Sequence, residues 1–417
     1  MAYDFIIVGA GIAGLTVAEQ VANRLNKKVL LIDKRDHIGG NCYDYYNEEG
    51  ILVHKYGPHI FHTDSIKVYK YLSRFTNWNI YNHKVVGKID GDYVPLPFNL
   101  ISIDKCMPEE SEDIKTALLE KYNVNDKIPI HELKKSDDPN IEKLADYLYN
   151  EIYLNYTLNQ WGYRPEELDS AIMEQLPLHL SYDCRYYQDI YQGVPTNGYA
   201  QMFQNMISNH NINILLEKDY HDVLNIDFEN KKIYYHDEEF KGQVIFTGMI
   251  DEFFNFIYGR LPYRSLILMD ETVDRPHFQD NATINYPNEY HFTRITEYKY
   301  ITGQQSFKSA VQFEFPIDYN PNYPESNIPY YPIPREENQE LYERYLELSE
   351  KFPQVSFIGR LAQYKNLNMD QVVKEALELV ETKFLKEDTI PWWNYKIYIL
   401  ITIKEIVIKG RLNNEYC

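Results

Sequence analysis

Five glycines and one aspartate near the start of the chain are spaced to hold the phosphates and ribose of a dinucleotide. Gly9, Gly11 and Gly14 read G-x-G-x-x-G directly after the apolar run Phe5 to Val8. The first glycine allows a tight turn, the second lets a pyrophosphate approach the backbone, and the third lets helix and strand pack closely. A helix starting there aims its free N–H groups and positive dipole end at the phosphates. A second apolar run, Val29 to Ile32, ends in Asp33, an acid placed to accept hydrogen bonds from a ribose. Gly39 and Gly40 follow after five residues, and Asn41 closes the segment.

That second glycine pair resembles the extended signature of the glutathione-reductase-like FAD family. Backbone without side chains there lies against a cofactor that runs on toward a flavin, so FAD is the expected dinucleotide. Gly9, Gly11, Gly14, Asp33, Gly39, Gly40 and Asn41 are its expected ligands.

The elements that must position these residues alternate along the chain. Two βαβ-type strands open it, and VVGKIDGDYV (85–94) reads as a hairpin turning at Asp90-Gly91. From Ser102 to about Asp169 apolar residues recur at helical spacing. Ile212–Leu216, Lys232–Tyr235 and Val244–Thr247 look like strands, as does Val355–Ile358, and Pro334 to Phe352 is a charged helix. The predicted fold is α/β: a Rossmann-like FAD-binding domain with a helical insertion and a twisted antiparallel sheet domain. The FAD domain takes residues 1–84, 201–250 and 335–388, the sheet domain 85–100, 181–200 and 251–334, and the helical substrate domain 101–180. Residues 389–417 form an atypical Ile-rich tail whose charges (Lys396, Lys404, Glu405) do not fit a bilayer span.

At 417 residues the chain has room for several cores, and 44% apolar and 25% charged residues are ordinary for a soluble protein. A net charge of −20 argues against nucleic acid or an anionic membrane as partner. It also means that an anionic substrate needs a local arginine cluster. The cysteines, Cys42, Cys106, Cys184 and Cys417, form no C-x-x-C, so neither a metal site nor a disulfide framework is expected. With no basic leader and no apolar run of spanning length, a cytoplasmic location is expected.

Further motifs carry a closer resemblance. GPHIFHT (57–63), NYTLNQWG (155–162), RYYQDIYQGVPTNGY (185–199), YRSL (263–266), FTRITEYK (292–299), PYYP (329–332) and GRLAQYKNLNMDQV (359–372) together resemble the UDP-galactopyranose mutase family, from residue 1 to about Val380. That family interconverts the pyranose and furanose forms of UDP-galactose through an adduct between the sugar and N5 of the reduced flavin. The resemblance implies FAD kept reduced by a cellular reductant such as NAD(P)H, a nucleotide-sugar substrate and, more weakly, a homodimer. Arg294 should then grip the departing diphosphate and Arg264 anchor it from the mobile side, while His59 lies against the flavin with His62 behind it. Tyr156 should stack on uracil with Thr157 beside it, and Trp161 should border the sugar. Tyr186 and Tyr331 should donate to phosphate oxygens, Arg360 should pair with the FAD pyrophosphate, and Met369 should contact the cofactor. Glu297 should orient an arginine.

The chain departs from the family pattern at clustered places. Gln175 and His179 stand where arginines are usual, Asn159 replaces a lysine, Asn366 a phosphate-binding tyrosine and Asn368 an acid near the cofactor. Exchanging a charge-assisted contact for a glutamine costs about 1.5–3 kcal/mol of diphosphate grip. Lys365 and Arg164 are the candidates to replace it. Three readings therefore stay open beside UDP-galactose: a mutase for a deoxy or N-acetyl sugar nucleotide, an FAD-dependent oxidase, and a paralogue that binds without turnover.

Overall fold

The computed structural model describes residues 3–169, 177–288, 290–323 and 327–385; the Gln175 substitution and the 389–417 tail lie outside them. Its centre is a five-stranded parallel sheet in the order Ile212–Leu215, Val29–Ile32, Phe5–Val8, Gln243–Phe246, Val355–Phe357. Phe5–Val8 and Val29–Ile32 are four-residue apolar runs buried along their whole length, as parallel strands covered on both faces require. Side chains alternate between two cores. Ile7 and Leu31 pack toward the helices Ile12–Leu25, Gly198–Met206 and Met369–Leu379. Ile6, Val8 and Leu30 face Phe253, Tyr345 and Phe352 around the helix Glu336–Ser349. Among the described residues, no helix is long and apolar enough to cross a membrane.

A second, seven-stranded sheet runs Tyr331–Pro332, Tyr263–Val273, Ser309–Asp318, Arg294–Glu297, Thr283–Asn285, Val85–Ile89, Asp92–Leu96. All its pairings are antiparallel except Thr283–Asn285 against Val85–Ile89. Between its first hairpin and the rest stands the helical unit, built on Leu100, Ile103, Leu118, Leu144 and Leu148. Its last helix is continuous from Pro139–Leu148 into Leu154–Trp161 through one wide turn at Tyr149–Tyr153, where Leu154 N–H reaches back five residues to Tyr149. One inserted residue of this kind rotates the next stretch of helix, which here carries Tyr156 and Trp161.

Two expectations about sheet membership are corrected. The strand Tyr191–Pro195, expected in the large sheet with the rest of 181–200, pairs instead with Phe61–Thr63 and Trp78–Ile80. Lys232–Tyr235, expected in one sheet with Ile212–Leu216 and Val244–Thr247, pairs instead in a small meander with Leu224–Asp227 and Glu238–Glu239. The first joins strands distant in sequence, a register that a strand's own pattern does not encode; the second is a local meander between consecutive strands.

A buried acid behind the parallel sheet gives a pH prediction. Asp251 is 1% exposed, accepts Leu261 N–H through Oδ2 at 2.9 Å, and its Oδ1 has no partner among the described residues. Burial pushes its carboxyl from 3.8 up to about 6. Between those values the folded chain binds more protons than the unfolded one, so this group's contribution to stability falls as pH rises from about 4 to 6. In urea titrations from pH 4 to 7, native protein should lose on the order of 2–3 kcal/mol relative to Asp251→Asn. Parallel curves would contradict it.

Candidate functional site

The carboxyl ends of the parallel strands converge on one elongated cavity, the place where open α/β sheets bind ligands. Its walls include Gly9, Gly11, Asp33, Arg35, Gly39, Gly40, Asn41, Cys42, His59, Thr247, Tyr330, Arg360 and Met369. Gly9 adopts φ +101°, and a Cβ there would overlap the Thr247 hydroxyl; a Cβ on Gly14 would run into the Gly9 carbonyl oxygen. Gly11 differs, because its Cβ would meet only the Gly40 Cα, at 3.8 Å. The protein leaves that space to the cavity. The two glycine loops lean together through Gly39 N–H to Ala10 O at 2.7 Å. Helix Ile12–Leu25 has no side-chain cap at Gly11, so its first amides are free for an anion. Asp33 is fixed by Ala10 N–H (2.7 Å) and Arg35 N–H (2.9 Å), one on each oxygen.

Two arginines line this cradle without a carboxylate partner among the described residues. Arg360 donates to Leu367 O at 2.7 Å and to Tyr330 O, and its guanidinium lies over the Tyr331 ring. Arg35 donates to Asn41 Oδ1 at 2.9 Å and lies over Tyr56, while its Nη1 is buried with no partner. An orphaned guanidinium donor beside free helix amides fits a diphosphate. Arg35 is not among the ligands expected from sequence, although its place two residues after the ribose acid is a usable signal. Met369 opens the helix Met369–Leu379 at the cradle, and Asn368 sits at its N-cap, where its N–H donates to Gln371 at 2.8 Å. Asparagine suits that position as well as aspartate does.

The residues expected around a substrate gather on the facing side. Arg294, on the strand Arg294–Glu297, donates to the Tyr156 hydroxyl at 3.1 Å. Its Nε stands 3.5 Å from Glu314. Burial opposes the Arg294 charge, but Glu314 and the oxygens of Tyr156, Tyr331 and Tyr186 outweigh it, so the guanidinium is held more firmly protonated than usual. Burial pushes Tyr186 and Tyr331 up to about 12, so both remain hydrogen-bond donors at neutral pH. Trp161 is buried with its ring 6.1 Å from Tyr331. Thr157 is buried on the same helix.

Glu314, not expected from sequence, takes the part expected of Glu297. Glu297 is three positions along the strand from Arg294, hence on the opposite face. There it accepts from Phe278 N–H, Gln279 N–H and the Ser309 hydroxyl. Glu314 is directly opposite Arg294 in the neighbouring strand, and its other oxygen points toward Gly57, 3.9 Å from where a Cβ would stand. That glycine's carbonyl accepts from His59 Nδ1 at 2.8 Å. Since a carbonyl only accepts, Nδ1 carries the proton and Nε2 is an acceptor. Burial, with Arg360 nearby, pulls His59 down to about 4 against the Gly57 bond, so the ring is neutral at pH 7.

Other expectations are placed elsewhere. His62 pairs with Asp189 at 3.1 Å and stacks on Tyr187. Arg264 lies against the last turn of the helix Leu154–Trp161, where each guanidinium nitrogen has a protein partner. Asn366 and Lys365 are exposed on the loop before Met369, and Arg164 is exposed after the site helix. His179 is buried in the helical unit on a two-residue strand. Asn159 ties the site helix to Pro287 O at 3.3 Å.

Comparison with known proteins bears on the whole arrangement. A family model described as UDP-galactopyranose mutase matches residues 151–366, and an NAD(P)-binding Rossmann-like domain model matches residues 7–75. A UDP-galactopyranose mutase of Mycoplasma genitalium is 35% identical over 89% of this chain and 92% of its own length. A dTDP-fucopyranose mutase of Escherichia coli is 31% identical over 90% of this chain and 97% of its own. A crystal structure of reduced UDP-galactopyranose mutase superposes with a TM-score of 0.70 at 15% identity, covering 91% of this chain and 93% of the other.

Proposed function

This chain belongs to the UDP-galactopyranose mutase family, an isomerase family, and on that premise we propose that it interconverts the pyranose and furanose rings of a nucleotide-sugar, UDP-galactose first, with reduced FAD in the cradle. The observation that carries this reading is Arg294, bonded to Tyr156 and paired with Glu314 close to Tyr186 and Tyr331, set beside a cradle whose two arginines have no carboxylate partner among the described residues. Gly11, the orphaned Arg35 donor and the free amides of helix Ile12–Leu25 fit the FAD diphosphate. When bound and reduced, the flavin supplies the nucleophile toward the anomeric carbon; a cellular reductant such as NAD(P)H keeps it reduced.

The chain's own residues hold the nucleotide while the sugar is rearranged. Arg294 takes the charge that develops on the departing diphosphate, and a planar, permanently charged group does so without losing its proton. Tyr186 and Tyr331, protonated at neutral pH, donate to its oxygens. Glu314 holds Arg294 in place from behind, so the guanidinium does not have to reorganise as charge appears. His59, which lines the cradle, offers an acceptor at Nε2, and Trp161 with Tyr331 shields the sugar from water.

A second substrate is favoured by one relative: the dTDP-fucopyranose mutase, 31% identical, falls between two UDP-galactopyranose mutases at 35% and 30%. Reduced protein incubated with UDP-galactofuranose and dTDP-fucofuranose in parallel, followed by chromatography of the nucleotide-sugars, tests the assignment. Faster conversion of the UDP sugar is expected. Faster conversion of the dTDP sugar would move the assignment to that substrate, and conversion of neither would overturn mutase activity on both.

A further inference from the structure

Arg264 is 5% exposed on the strand Tyr263–Val273, and each of its guanidinium nitrogens has a protein partner. Nε donates to Gln160 O at 2.9 Å and Nη2 to Asn159 O at 3.2 Å, while Nη1 is paired with Asp318, its direct neighbour across the sheet. Gln160 and Asn159 lie in the last turn of the helix Leu154–Trp161, where carbonyls run out of intrahelical donors. The Leu158 carbonyl already receives Gly162 N–H at 2.9 Å. Arg264 therefore supplies two of the missing donors, and its charge sits at the negative end of the helix dipole.

The surroundings are shaped to this contact. Gly162 ends the helix at φ +77°, and a Cβ there would stand 3.1 Å from Arg264 Nη1. Glycine thus permits both the left-handed turn and the guanidinium beside it. On its other side Arg264 is in register with Tyr331. One residue joins the helix that bears Tyr156 and Trp161 to the strand that bears Tyr331.

We infer that Arg264 is a positioning residue that fastens the C-terminal turn of the site helix to the sheet and so sets the spacing of Tyr156 and Trp161 from Tyr331, without touching the diphosphate. The inference uses the nucleotide-sugar reading only in naming that diphosphate.

Two measurements on FAD-loaded full-length Arg264→Gln test it: hydrogen exchange in the peptide covering 154–163, and calorimetric binding of UDP and of uridine. Exchange in that peptide should quicken by about tenfold or more while the parallel sheet keeps its protection. UDP and uridine should weaken by the same factor, to within about twofold, because a displaced helix affects a nucleoside with or without phosphates. Native exchange in 154–163 would overturn the inference. So would a loss of about tenfold for UDP with uridine unchanged, the mark of a direct phosphate ligand. If native protein binds neither compound, the nucleotide reading fails and exchange alone decides the role of Arg264. Arg264→Lys, which keeps the charge but not the fork, should give an intermediate change and serves if the glutamine variant does not fold.

Discussion

Arg294→Lys should cut turnover by about a hundredfold or more while the protein still folds and still carries its cofactor. Lysine keeps a positive charge against Glu314, which is 3% exposed and 3.5 Å from the guanidinium. Alanine would leave that buried carboxylate alone, at a cost of about 3–5 kcal/mol in stability, and so confuse a catalytic loss with an unfolding one. What lysine lacks is the planar fork. Lysine's three donors sit on a single nitrogen, where Arg294 spans the Tyr156 hydroxyl and Glu314 with separate nitrogens. Steady-state rates with UDP-galactofuranose, set beside melting temperature and flavin content, separate these effects. Turnover within threefold of native would remove Arg294 from the chemistry.

Gly11→Val should give a folded protein that does not retain FAD. The backbone at Gly11 has φ −78° and ψ 178°, which any residue adopts, and the nearest atom to an added Cβ is the Gly40 Cα at 3.8 Å. The protein itself leaves room for a Cβ here. The cradle does not, because the added methyls occupy the place where the pyrophosphate approaches the backbone. Overlap of this kind costs at least 1–3 kcal/mol, so affinity should fall by about tenfold to a hundredfold or more. Gly14→Ala behaves in the opposite way: its methyl meets the Gly9 carbonyl and the Ile7 side chain, so the fold itself is strained. Circular dichroism with flavin absorbance after gel filtration checks both variants. Normal flavin content in Gly11→Val would mean that the cofactor does not lie against this loop.

The dinucleotide-binding half is legible in the sequence because its determinants are local. Glycine spacing, a preceding apolar strand and an acid at the end of the next strand all fall within forty residues. The substrate half is harder, because its partners meet across strands. Glu314 is twenty residues from Arg294 in sequence and becomes its neighbour only through the antiparallel register. Glu297, closer in sequence, faces the other way for want of an even spacing. Arg264 shows the same limit. A family motif names the residue, but whether its side chain enters the cleft or passes under a helix depends on where that helix ends, and Gly162 decides that from a hundred residues away. The sheet partner of Tyr191–Pro195 is a third case, since alternation defines a strand without saying what it pairs with.

This chain should exchange sugar ring forms only with a reduced cofactor. The most direct test takes one preparation of FAD-loaded protein, divides it, reduces one half with dithionite, and follows UDP-galactofuranose in both by chromatography. Conversion to UDP-galactopyranose is expected in the reduced half and none in the oxidised half. Equal conversion in both halves, or none in a half whose flavin is demonstrably reduced, would contradict it.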